Sequence, residues 1–521
     1  MSGGVGEVDI VVNTAGTSDG RGVDHEIVII GAGFSGIGFA IKAKAAGYTD
    51  LLIVDDADGV GGTWHWNTYP GVAVDIPSFS YQFSFEQHAA WSRTYAPGRE
   101  LKNYAEHCVD KYGLRPYLRL NTAIESAEYD EPGNRWVLTT GSGARITARF
   151  VVNAAGVLTR PKLPEIAGLE QFSGITMHTS RWDHRVPLRG KRVGIIGTGA
   201  SAVQVIPQIA PEVAQLTVFQ RTPIWCLPKL DAPLARPAGW VLGHLPAARQ
   251  AARIASQAFV ELTFPIAAHY GRILPTGRVG EAVARNFLRT QVADPVLREK
   301  LTPRYGLGCK RPSFHNSYLS TFNRDNVYLE TDPISHGDAR AIHTRTGTAH
   351  EFDVLILATG FKVMDPGNMP TYGLVGAGGR QLEKWWNENR LQAYEGVSVP
   401  GFPNHFTIFG PYGYNGSSYF TLIEAQTQHI LRCLRHARRV GADRIEVTEA
   451  ANQRYFAEML ARRKNQIFWQ ASCANANSYY FDKHGDVPLR AATTVETAWR
   501  SRRFQLSDYA FERSPAEIRT A

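Results

Sequence analysis

Sulfur is scarce in this chain and follows no pattern. Five cysteines, Cys108, Cys226, Cys309, Cys433 and Cys473, are scattered with no CxxC among them. Such spacing argues against a disulfide framework, a zinc site or any other metal site, and a dithiol redox centre, and it points to a reduced, cytoplasmic home. No run of about 18 apolar residues occurs, so neither a spanning helix nor a stable membrane anchor is expected. Residues 1–24 are polar and Gly-rich, without the basic start and apolar centre of a signal peptide, and read as a disordered tail. A GxSxG elbow, a Walker A loop and HExxH are all missing, which removes the commonest hydrolase and NTPase chemistries. A concentrated basic stripe is missing too. The formal charge is +8, yet the densest clusters are short: RCLRHARR from Arg432, ARRK from Ala461 and RSRR from Arg500. Nucleic-acid binding is therefore not expected. A positive balance equally suits a protein that holds two anionic dinucleotides.

The chain does carry glycine in two informative places. Its 521 residues, 44% hydrophobic and 20% charged, allow two or more ordinary globular domains. The apolar run EIVII at 26–30 enters Gly31, Gly33 and Gly36, with Phe34 and Ser35 between them, and a helical pattern follows. Strand, GxGxxG turn and helix together form a dinucleotide-binding opening. The glycines let backbone N–H groups approach a pyrophosphate at a helix N-terminus. Asp55, at the end of the next strand and 24 residues past Gly31, is placed to accept ribose hydroxyls.

A second opening, KRVGIIG, leads into Gly197, Thr198, Gly199, Ala200, Ser201 and Ala202, with Gln204 on the helix that follows. Ala202 stands where the third glycine would be, a replacement the fingerprint tolerates. Its next strand ends in Gln220, Arg221 and Thr222 rather than in a carboxylate. An Arg there can bind a 2′-phosphate that a carboxylate would repel, so this site fits NADPH. Late strands ending at Gly156 and Phe361 would complete the two units, and a helix-forming segment at about 228–302 interrupts the second. The expected fold is α/β, with two Rossmann-like domains and a helical insert. Residues 25–170 form the first part of the FAD domain, 171–190 a linker, 191–361 the NADP domain, and 362–521 the return to the FAD domain with a substrate-shaping C-terminal region. A flavin-type and an NADPH-type site in one chain imply hydride transfer from nicotinamide to flavin. With no redox cysteine pair in the sequence, dioxygen is the remaining general acceptor.

Two further stretches carry a family resemblance. FSGITMHTSRWD supplies Phe172, Gly174, His178, Thr179, Trp182 and Asp183, and GGTWHWNTYPGVAVD runs from Gly61 to Asp75. Together with the two glycine turns, in this order, they resemble the type I Baeyer–Villiger monooxygenases over about 25–430. The resemblance implies FAD and NADPH as cofactors, and O2 and a ketone as substrates. It also implies a C4a-peroxyflavin whose attack on the carbonyl passes through a Criegee adduct to an ester or lactone. It places Gly62, Thr63, Trp64 and Tyr81 near the flavin. In KRPSFHNSY it gives Arg311 the catalytic cation's role and Lys310 a contact to nicotinamide. Asp75 would orient Arg311 and help position the nicotinamide. Arg is suited to that role because a peroxide anion and a tetrahedral oxyanion both need a permanent cation. His178 reads better as part of a hinge, anchored by Phe172 and Trp182, than as a base. Tyr479 stands where many relatives carry Trp, which leaves the lid and the substrate preference open. Heteroatom oxygenation of a sulfide or amine, and a non-oxygenating FAD/NADP redox sensor, are the competing readings. Oligomeric state is open.

Overall fold

The computed structural model describes residues 22–513 except 272, 274, 275, 364, 475 and 477. The expected tail therefore lies almost wholly outside the described residues. Two sheets organise the molecule. In the first, His25–Ile30 lies between Leu51–Val54 and Arg145–Asn153, all parallel. These strands are near-continuous Val/Ile/Leu runs buried on both faces, as parallel strands under helices must be. The nine-residue Arg145–Asn153 strand serves two neighbours on its other side. Its first half pairs antiparallel with Arg135–Thr140, and its second half pairs parallel with His405–Thr407. Gly373–Val375 adds an outer edge beside Ile124–Asp130. The chain after 362 thus returns to the first sheet, and the long Tyr419–Val440 helix packs against Phe34–Ala45.

The second sheet is five-stranded and wholly parallel, in the order Val327–Glu330, Gln215–Phe219, Arg192–Ile196, Val354–Leu357, Ile175–His178. Helices Arg236–His244, Pro246–Glu261, Thr276–Gln291 and Pro295–Lys300 lie in the chain between Gln215–Phe219 and the outer strand Val327–Glu330. They form the insert the sequence pattern predicts.

Two features differ from the sequence reading. Ile175–His178, expected in a linker, pairs with Val354–Leu357 as the edge strand of the second sheet. Four residues with buried Met177 and His178 at one end give too short a pattern to recognise without the neighbour that completes it. The connection proper is 155–171. It runs beside the return crossing near 360: Lys162 donates its backbone N–H to the Gly360 carbonyl at 2.8 Å, and Lys362 to that of Arg160 at 3.1 Å. The second difference is a disulfide. Cys309 and Cys473, 164 residues apart, are bonded, whereas Cys108, Cys226 and Cys433 are free and buried. Spacing arguments see only sequence neighbours, and this pair meets because the C-terminal segment folds back over the insert. Among the described residues no helix is long and apolar enough to cross a membrane.

Candidate active site

The first cradle is made of bare backbone. Gly31 has φ +113°, and a Cβ there would lie 2.6 Å from the Ala154 carbonyl oxygen. Phe34–Ala45 starts at Gly33 without a side-chain cap, so its first N–H groups face outward, with Phe34, Ser35 and Gly36 buried behind them. Gly62 arrives from the other signature with φ +55°, and a Cβ on it would sit 3.0 Å from the Gly33 Cα. Two turns far apart in sequence therefore leave a narrow slot that suits a pyrophosphate. Asp55 accepts N–H groups from Ala32 at 2.5 Å and Ala57 at 2.9 Å. Burial pushes its carboxyl up to about 6 against the pull of those bonds, with Asp56 adding to the rise. Thr63 and Trp64 open the short helix after Gly62, and Trp64 donates its indole N–H to the buried Tyr81 hydroxyl at 3.2 Å.

In the second cradle, helix Ala200–Ile209 begins after Gly199, again with no side-chain cap. Ser201 is half-buried and Ala202 fully buried in its first turn. The Thr198 hydroxyl donates to the Thr222 carbonyl at 2.9 Å, which holds the exposed Arg221 beside the turn. Lys310 lies on this side of the site. Burial and then the Arg221 charge push its ammonium down to about 8. Among the described residues neither cation makes an ion pair. Two like charges held together in this way fit an anionic group such as a 2′-phosphate. Gln204 faces elsewhere: it accepts the Tyr69 hydroxyl at 3.0 Å and donates to the Ala73 carbonyl at 2.9 Å, tying the second unit to the GGTWHWNTYPGVAVD loop.

That loop ends at Asp75. Arg311, 236 residues away, donates Nε to Asp75 Oδ2 at 2.7 Å and Nη1 to the Tyr414 hydroxyl oxygen at 3.3 Å. Burial alone would raise the Asp75 carboxyl, but the Arg311 guanidinium, with Lys229 behind it, holds it below the usual carboxylate range. Burial likewise works against the Arg311 charge, and Asp75 outweighs it, keeping the cation well above its ordinary pKa. The pair forms the polar wall of a cavity whose other sides include Tyr95, Phe259, Phe264 and Phe314. Phe264 stands on the five-residue π turn Leu262–Ile266, under the Arg311 guanidinium at 5.1 Å. Its ring occupies the space a side chain at Gly416 would need.

His178 is buried. Burial lowers its pKa, and its Nδ1 accepts the Ser180 backbone N–H at 3.1 Å. Its ring meets Phe361 edge-on at 6.0 Å, against the paired crossings. Phe172 is buried on the same sheet, Gly174 is packed against it, Thr179 and Ser180 are buried, and Trp182 packs on the core of the second sheet. Asp183 pairs with Arg185 at 2.9 Å on the surface. None of these touches the Arg311–Asp75 pair. Sequence reading missed Tyr414, Lys229 and Phe264. Tyr414 had a faint signal in the aromatic GPYGYNG turn, but Lys229 and Phe264 had none, because the insert shows only helical periodicity.

Comparison with known proteins gives the family. Residues 28–236 match the pyridine nucleotide-disulphide oxidoreductase family model. A Baeyer–Villiger monooxygenase of Streptomyces coelicolor is 35% identical over 94% of each chain. This chain belongs to the Baeyer–Villiger monooxygenase family. The cyclohexanone 1,2-monooxygenase of an Acinetobacter species is 31% identical over 94% of this chain and 98% of its own. Among solved family structures, an OTEMO complex with FAD and NADP superposes with a TM-score of 0.84 at 28% identity, covering 94% of this chain and 99% of that one. An oxidised steroid monooxygenase bound to NADP gives 0.80 at 30% identity with the same coverage. Family membership fits the bare-backbone slot, the uncapped helix starts and the unpaired Arg221–Lys310 cations described above.

Proposed function

We propose that this chain is an FAD-containing, NADPH-dependent monooxygenase that inserts one oxygen atom beside a ketone carbonyl, giving an ester or lactone. The Arg311–Asp75 pair at the wall of a largely apolar cavity carries this reading. Bound flavin, reduced by NADPH, supplies the activated oxygen, and the second oxygen atom leaves as water. The protein's part is electrostatic. Carbonyl addition puts negative charge on the former carbonyl oxygen, and Arg311 offers a cation that keeps its charge at any working pH. Asp75 takes the Nε side of the guanidinium and Tyr414 one Nη, so the fork is held in one orientation with N–H groups left over.

Cofactor roles follow the same geometry. Gly31, Gly33, Gly36 and Gly62 cradle the FAD pyrophosphate, Asp55 accepts its ribose hydroxyls, and Thr63, Trp64 and Tyr81 lie along the flavin. Gly197 to Ala202 take the NADPH pyrophosphate. Arg221, with Thr222 setting its turn, binds the 2′-phosphate. The family resemblance gives Lys310 a contact to nicotinamide. Its charge coupling to Arg221 supports a contact with the 2′-phosphate end instead. Gln204 and His178 act at a distance, one by bracing the Asp75 loop and the other by supporting the paired crossings between domains.

Oxidation of a sulfide or amine by the same flavin builds no carbonyl oxyanion and gives Arg311 less to do. The test is product analysis. FAD-loaded protein with NADPH, isotopically labelled dioxygen and a panel of ketones and sulfides should yield esters carrying one labelled oxygen per NADPH consumed. Sulfoxide as the only oxygenated product would favour heteroatom oxidation. Hydrogen peroxide equal to the NADPH consumed, with every panel member unchanged, would favour the redox-sensor reading.

A further inference from the structure

The Tyr414 hydroxyl takes one Nη of Arg311 from a turn whose backbone runs against its own sequence. Phe409 at φ +67°, Tyr412 at φ +59° and, on the adjoining segment, Glu395 at φ +51° all hold the left-handed conformation without being glycine. That region is unfavourable for a residue with a Cβ and persists only where its surroundings over-determine it. The two segments are joined, since Gly410 donates its N–H to the Gly396 carbonyl at 3.0 Å.

Three buried side chains hold this turn. Gln426 accepts the Phe409 N–H at 2.7 Å and donates to the Gly413 carbonyl at 2.6 Å. Tyr455 donates its hydroxyl to the Tyr412 carbonyl at 2.8 Å. The third is charged. Arg490, 2% exposed, donates Nε to the same Tyr412 carbonyl at 3.1 Å and Nη2 to the Glu395 carbonyl at 2.6 Å. Its backbone N–H donates to the Tyr414 carbonyl at 2.8 Å. The buried Glu395 carboxylate stands 2.8 Å from Arg490 Nη2 and 2.7 Å from Arg500 Nη2. None of these bonds reaches Arg311.

A buried ion pair often gains nothing in stability over apolar residues of the same volume. What a guanidinium supplies is a rigid, planar set of donors, here turned to the carbonyls of two left-handed residues and to one carboxylate. We infer that Arg490, oriented by Glu395, is a positioning residue for Arg311: it fixes the 409–414 turn so that the Tyr414 hydroxyl meets the guanidinium at the cavity wall. The inference rests on the proposed role of Arg311 in ester formation.

The experiment is a double-mutant cycle on FAD-loaded protein with NADPH, O2 and a ketone that the wild type converts. Arg490→Lys keeps a charge opposite Glu395 and loses the fork, and Tyr414→Phe removes the hydroxyl from an intact turn. Each should lower kcat for ester formation roughly fivefold or more with ketone KM within about twofold, the pattern of an interaction made only in the transition state. The double variant should match Tyr414→Phe alone within about twofold, because both changes act through one contact. Losses that multiply in the double variant, or wild-type kcat in Arg490→Lys, would overturn the inference. Where Arg490→Lys does not retain flavin, Glu395→Gln replaces it in the cycle under the same criteria. Arg311→Ala separates the two levels. Ester formation retained there defeats the proposed role of Arg311, whereas ester formation lost there, with multiplying losses in the cycle, defeats the positioning role alone.

Discussion

At the scale of single residues, the chemistry rests on charges made dependent on one another by burial. Arg311→Ala should lower ester formation by at least about a hundredfold, the size of effect seen when an oxyanion donor is removed, while NADPH-driven flavin bleaching under anaerobic conditions proceeds. Retained ester formation would take Arg311 out of the reaction. Asp55 gives a pH signature. Its carboxyl, pushed up to about 6 by burial, is protonated in the flavin-free fold over a range where the unfolded chain is ionised. This group therefore stabilises the flavin-free fold most below about 4, and that contribution fades as pH rises through about 6. Ribose hydroxyls need the ionised acceptor, so FAD affinity should weaken as pH falls below about 6. Fluorescence titration of free FAD measures this, and Asp55→Asn should flatten the curve. Lys310 titrates in the opposite sense: with its ammonium pushed down to about 8, the charge proposed to meet a 2′-phosphate is lost above that pH. KM for NADPH should rise there while KM for NADH stays level, and Arg221→Ala should raise the NADPH value far more than the NADH value.

At the scale of elements, the FSGITMHTSRWD stretch is where chain connection and sheet coincide. Ile175–His178 is an edge strand of the second sheet, and the His178 ring rests against Phe361 at the return crossing. Edge strands have one neighbour to hold them, so a side chain that fixes such a strand to the crossings sets how the two units meet. His178→Ala should leave the anaerobic flavin reduction rate within about twofold and lower the fraction of NADPH consumed that ends in product, read as hydrogen peroxide released per NADPH. Unchanged coupling would reduce the motif to packing. The glycine turns and their strands were legible because each is a local pattern: apolar strand, GxGxxG, helix. The edge strand was not, because only Val354–Leu357, some 180 residues later, gives it a partner.

At the scale of the whole molecule, the C-terminal region holds the site together from behind. It supplies Tyr414 to Arg311, two strands to the first sheet, and Cys473 to Cys309, the residue before Lys310. Under non-reducing denaturation, thiol titration should count three free cysteines, Cys108, Cys226 and Cys433, rising to five after reduction. Five without reductant would mean that the bridge does not form in the expressed protein.

The sequence by itself determined the two glycine turns with their strands and helices, the pairing of FAD with NADP, and the family through four ordered motifs. These are backbone and short-range requirements, and a few adjacent residues state them in full. Tertiary structure alone decided that buried Asp75 and Arg311 stabilise each other's charge and that Tyr414 joins them. It also decided that Phe264 walls the cavity and that two distant cysteines bond. Each of these depends on burial or on a contact across a hundred residues or more, and neither is encoded in local spacing.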